Sequence, residues 1–137
     1  MILLDTSGLL ALLDAGEPTH RQALAAISGK HPLMVTDLIL AETDYLVLKR
    51  LGVKAEQELL DQILEGAFLR EPISVDDLRR AREIVKRYAD AAVGLTDATA
   101  MAVAERLSIE EVLTLDRRHF SPFRTRKGRA LELLPAT

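Results

Sequence analysis

The chain has 137 residues, 48% hydrophobic and 28% charged, with a formal net charge of −3, a profile of water-soluble globular proteins that fits a single domain over residues 1–137. The absence of cysteine excludes a disulfide framework and a thiolate metal site. The apolar opening Met1 to Leu4 is too short for a signal peptide, and no run reaches transmembrane length, so a cytoplasmic protein without membrane contact is expected.

Met1 to Leu4 reads as a short buried strand halted by Asp5-Thr6-Ser7-Gly8. A brief helix through Leu9 to Leu13 follows. Glu17-Pro18-Thr19 opens a second helix that runs to Ser28 and stops at Gly29. Leu33 to Val35 is a second strand, with Thr36-Asp37 capping a third helix from about Leu38 to Leu51, ended by Gly52. Lys54 to Leu64 forms a fourth, amphipathic helix through Leu59, Leu60, Ile63 and Leu64, closed by Gly66. Ala67 to Ile73 is interrupted by Arg70, Glu71 and Pro72 and fits only an edge strand. Ser74 to Asp77 caps a long basic helix reaching about Tyr88, and a loop from Ala89 leads to Leu95.

Leu95 to Leu107 reads as a helix with Thr96 as N-cap and Asp97 in its first turn. Ala100, Met101 and Ala104 share the face of Asp97, so the acid tops a core-facing stripe of small residues. Val112 to Leu115 is a strand stopped by Asp116, and Ala130 to Leu134 supplies the last one. Short apolar strands alternating with helices imply an α/β fold with a mainly parallel sheet flanked by helices. Ligands of such sheets bind at the carboxyl ends of the strands.

Taken singly, Asp5 and Asp116 read as caps at strand ends, and Asp97 as an acid complementing a helix dipole. Glu42 is different, because Leu38, Tyr45 and Leu46 flank it at helical spacing. A glutamate on a buried apolar stripe needs either a basic partner or a cation, and the sequence leaves both open. Together, the four acids can converge on one crevice, where crowded carboxylates take up protons or bind cations. The three histidines, His20, His31 and His119, are not at zinc-ligand spacing. From Arg117 to Arg129 the chain carries six Lys or Arg and no acid, a footprint for phosphate or an ordinary solvated loop.

Ile2-Leu3-Leu4-Asp5-Thr6-Ser7, Leu40-Ala41-Glu42-Thr43, Tyr88-Ala89-Asp90, Leu95-Thr96-Asp97-Ala98 and Leu113-Thr114-Leu115-Asp116-Arg117-Arg118-His119-Phe120 resemble, in order and spacing, a PIN domain of the VapC-type toxin group. The resemblance implies a three-layer α/β/α fold and a Mg²⁺- or Mn²⁺-dependent endoribonuclease that uses water to attack RNA phosphodiester bonds in line. Asp5, Glu42, Asp97 and Asp116 match the family's acidic quartet, with Asp5 and Asp97 as direct metal ligands. Glu42 and Asp116 would hold metal-bound water or complete a second ion. Thr6, Ser7 and Thr114 match supporting hydroxyls, and Asp90 a recurrent acid acting as a loop cap or outer group. His119 receives no catalytic part. Asp37 and Asp44 lie on other faces of the helix that carries Glu42.

The implied partners are an RNA substrate, a homodimer mate, and a VapB-like antitoxin whose C-terminal segment covers the acidic groove. The third helix, apolar around most of its circumference, is either a central core helix or faces another chain. The basic run would hold RNA backbone near the metals. Three other readings compete, one of them a plain α/β domain whose acids are only caps. An aspartate-based phosphatase usually has Asp-x-Asp after its first strand, whereas here Ser7 follows Asp5. A non-catalytic RNA-binding module would have lost part of the quartet.

Overall fold

The computed structural model describes residues 1–30 and 32–136; His31 lies outside the described residues. Five strands, β1 (Ile2–Leu4), β2 (Leu33–Thr36), β3 (Leu69–Glu71), β4 (Glu111–Leu113) and β5 (Glu132–Leu134), form one sheet in the order β3-β2-β1-β4-β5. Every pairing is parallel. The middle strand β1 is fully buried, as its uninterrupted apolar run requires. β3 occupies an edge, where its charged residues stay in solvent.

Six α-helices connect the strands: α1 (Thr6–Leu13), α2 (His20–Ile27), α3 (Asp37–Leu51), α4 (Val53–Leu64), α5 (Val75–Arg87) and α6 (Leu95–Arg106). The path from β1 through β2 to β3 runs one way along the sheet, and the path from β3 to β4 crosses back the other way. Right-handed crossovers therefore place α1–α4 on one face and α5–α6 on the other. The order reverses between β1 and β4, so a crevice opens beyond their carboxyl ends.

Local chemistry sets most boundaries. Thr36 caps α3 by accepting the Ile39 N–H, and Ser74 and Asp77 form a reciprocal capping box on α5. Gly52, at φ +92°, lets the chain leave α3 and enter α4 without a linker. Among the described residues no helix is long and apolar enough to cross a membrane.

Three sequence expectations need correcting. Thr96 is not the N-cap of α6: the helix begins at Leu95, Gly94 is the cap, and no side chain caps it. The first helix starts at Thr6, not Leu9, because Asp5 caps it. The apolar α3 is not the central core helix. That place belongs to α6, in which every residue from Ala98 to Val103 and on to Ala104 is buried. Small side chains allow α6 to be enclosed, whereas α3 buries Ile39, Leu40, Thr43 and Val47 and leaves Tyr45, Leu48 and Leu51 in solvent.

Candidate active site

The crevice beyond β1 and β4 is a cavity of about 310 Å³ lined by Asp5, Glu42, Asp97 and Asp116 together. Thr6, Ser7, Glu17, Arg50 and His119 complete its polar wall. The four acids are brought there by four different elements. Asp5 ends β1, Asp116 follows β4, Asp97 sits in the first turn of α6, and Glu42 projects from α3.

Asp5 is the most deeply held. It is 3% exposed, and its Oδ1 accepts the Gly8 N–H at 2.7 Å and the Ser7 hydroxyl at 2.8 Å. The Ser7 hydroxyl in turn accepts the backbone N–H groups of Leu115 and Asp116 at 2.9 and 3.2 Å, which locks the start of α1 to the chain leaving β4. Gly8 permits this approach, since a Cβ there would lie 2.2 Å from the Leu113 carbonyl oxygen. Burial pushes the Asp5 carboxyl up to about 7, against the opposing pull of the Thr114 hydroxyl and of the Gly8 and Ser7 hydrogen bonds, and the Asp97 charge adds to the rise.

Asp97 is likewise raised, first by burial and further by Glu42 and Asp116, while His119 holds it down. His119 Nδ1 lies 2.6 Å from Asp97 Oδ2. Asp116 behaves oppositely: Arg118 grips it at 2.9 and 2.6 Å and lowers its carboxyl to about 2.

Glu42 occupies an exposed position, contrary to the expectation of a buried stripe. Its neighbours Leu38 and Leu46 are half-buried and Tyr45 is exposed, so it needs no buried counter-charge. Thr114 is fully buried behind the wall and donates to the Asp116 carbonyl oxygen at 2.9 Å. Asp90 is exposed in a short 3-10 turn and does not line the cavity. Asp37 pairs with Arg70 across an exposed surface, and Asp44 faces Glu56; neither reaches the site.

The basic run divides. Arg117 donates to the carbonyl oxygens of Leu133 and Pro135, and Arg124 to those of Ser121 and Phe123. Arg126, Lys127 and Arg129 line a different cavity, at the amino-terminal edge of β4 and β5 beside Glu105 and Arg106 at the end of α6. Asp97 begins that helix, so these cations stand more than about 10 Å from it. Of this segment, Arg118 and His119 contact the acids, Asp116 and Asp97 respectively. Glu17 and Arg50 were missed by the sequence reading; no motif marks them, and Arg50 stands two helical turns from Glu42 on the same helix.

The donor set fits a hard divalent cation. It is all oxygen, with several carboxylates whose ionised forms burial and mutual repulsion disfavour, and the buried Thr6 hydroxyl beside Asp5 has no hydrogen-bond partner. No three acidic or histidine side chains among the described residues close on one point; Asp97 bonds His119 and Asp116 bonds Arg118.

A sequence profile described as "PIN domain" matches residues 2–124. Ribonuclease VapC26 of Mycobacterium tuberculosis is 38% identical over 135 residues, covering 98% of this chain and 100% of the relative. The 23S rRNA-specific endonuclease VapC20 of the same species is 29% identical over 85% of this chain and 89% of its own length. The crystal structure of VapC20, described as a toxin cleaving the sarcin-ricin loop, superposes with a TM-score of 0.79 at 27% identity, covering 87% of this chain and 92% of the other. VapBC2 from Rickettsia felis, solved on a DNA fragment of its promoter, shares the fold at a TM-score of 0.68 and 18% identity, with 97% of each chain covered.

Proposed function

This chain belongs to the PIN domain family, and we propose that it is a Mg²⁺- or Mn²⁺-dependent endoribonuclease acting as the toxin of a toxin–antitoxin pair. The observation that carries the reading is the meeting of Asp5, Glu42, Asp97 and Asp116 in one crevice at the reversal of strand order. Relatives named as ribonuclease and rRNA endonuclease support the choice of RNA as substrate. Such a substrate places its action in the cytoplasm.

When bound, a divalent ion supplies the Lewis acidity that lowers a water's pKa and steadies charge on the phosphodiester. Asp5 and Asp97 would hold it, with Glu42 and Asp116 as further oxygen donors. Ser7 fixes the Asp5 carboxylate, and Thr6 offers an unused hydroxyl oxygen. Asp116 is held ionised by its ion pair with Arg118. Arg50, which lines the cavity, stands where RNA phosphates approach.

The exposed Tyr45, Leu48 and Leu51 of α3 and Leu60 and Leu64 of α4 supply apolar area for chain–chain contact. We assign this surface to a second copy of this chain and to an antitoxin, the latter the kind of partner named in a toxin–antitoxin complex that shares this fold.

RNA cleavage in Mg²⁺ or Mn²⁺, abolished by EDTA and by Asp97→Asn, is the expected outcome. One observation favours a second reading: Asp97 and Asp116 are each engaged by a basic side chain, as in an RNA-binding module without catalysis. Retained RNA binding with no cleavage in any divalent ion would establish that alternative.

A further inference from the structure

His119 sits in the turn that follows β4, and the turn is well anchored. Phe120 and Phe123 are buried at 1% and 0% exposure, the Ser121 N–H bonds the Arg117 carbonyl oxygen at 2.9 Å, and Tyr88 packs edge-on against Phe123. The ring of His119 is therefore delivered to the cavity wall by a fixed piece of backbone. There its Nδ1 meets Asp97 Oδ2 at 2.6 Å. Toward an ionised Asp97, whose carboxylate only accepts, Nδ1 is the donor.

We propose that His119 is a positioning residue for the nuclease site: its Nδ1–H commits Asp97 Oδ2 and thereby presents Oδ1 to the divalent cation. The inference rests on the nuclease reading. Asp97 stands on a helix start without a side-chain cap, in the company of Glu42 and Asp116. Without a donor, its carboxylate is free to rotate away from these like charges. Groups that orient a ligating carboxylate typically contribute a factor of 10–100 to metal affinity or activity.

Mn²⁺ affinity of the full chain, measured calorimetrically on the parent, Asp97→Asn and three variants of His119, tests the assignment. His119→Ala and His119→Gln should bind Mn²⁺ about 10–100-fold more weakly, since neither places a donor where Nδ1 stands. His119→Asn should restore near-parental affinity, because its amide nitrogen overlays Nδ1. RNA cleavage by His119→Ala should recover at saturating Mn²⁺. The inference is overturned if His119→Ala binds Mn²⁺ like the parent, if His119→Asn falls as far as His119→Ala, or if the cleavage defect persists at saturation. A parent that binds no Mn²⁺ overturns the nuclease reading along with it. A parent that binds and an Asp97→Asn variant that does not, beside an unaffected His119→Ala, removes the inference alone.

Discussion

Ser7 donates its hydroxyl to Asp5 at 2.8 Å while accepting the backbone N–H groups of Leu115 and Asp116. One oxygen thus joins the carboxyl ends of β1 and β4 and orients the most buried acid of the pocket. Replacing it with alanine leaves two part-buried N–H groups and one carboxylate oxygen short of a partner. Ser7→Ala should lose about 1–3 kcal/mol of stability and part of its RNA cleavage. Urea unfolding checks the first, and an unchanged midpoint would contradict it.

The pH dependence has a definite sign. Asp5 titrates at about 7 in the folded chain against 3.8 for the free group. Between those values the folded state binds more protons than the unfolded one, so the contribution is full below about pH 4 and is lost as pH rises through 7. Asp97 acts in the same direction. In metal-free buffer, Asp5→Asn should flatten the fall in Tm between about pH 4 and 7 and be the more stable protein at the upper end. Mn²⁺ should raise the Tm of the parent more at the higher pH. Parallel Tm–pH curves for parent and variant would contradict the burial of an ionisable Asp5.

Gly8 is set by space, not by φ. A methyl group there would meet the Leu113 carbonyl oxygen at 2.2 Å and its carbon at 2.8 Å, and neither belongs to a flexible side chain. Gly8→Ala should cost about 2–3 kcal/mol or more and should widen the gap between α1 and β4 that holds Asp5. Equilibrium unfolding of the purified variant measures the loss; a value near zero would mean that the contact is slack.

Arg50 lines the acidic cavity from α3, opposite the loop that carries Arg118. If it meets RNA phosphate, Arg50→Ala should raise KM with little change in kcat. It should also lower the slope of log binding constant against log salt by about one ion. A kcat loss with an unaltered salt slope would place its role elsewhere.

The legible parts of the fold were those written in local chemistry. Thr36, Ser74, Gly52 and Gly66 punctuate the helices, and the Ile2–Leu4 run could only be a buried strand. Asp5, Asp97 and Asp116 were legible as strand-end and helix-start acids, and their convergence follows from sheet topology. The outward direction of Glu42 was not legible, because α3 is apolar on nearly every side and periodicity alone does not choose its buried face. Nor was the pairing of His119 with Asp97, set by a turn that is anchored by burying its own Phe120 and Phe123, the latter against the distant Tyr88. The basic run looked continuous in sequence, yet the chain carries it from the carboxyl edge of the sheet to the opposite edge before β5, so only its first residues attend the site.

Crystals soaked in Mn²⁺ and measured at the manganese absorption edge test the central claim most directly. Anomalous density in contact with both Asp5 and Asp97, and absent from Asp97→Asn crystals, is the predicted result. A pocket without density at saturating Mn²⁺, or density confined to surface acids such as Asp37 and Asp44, would contradict it.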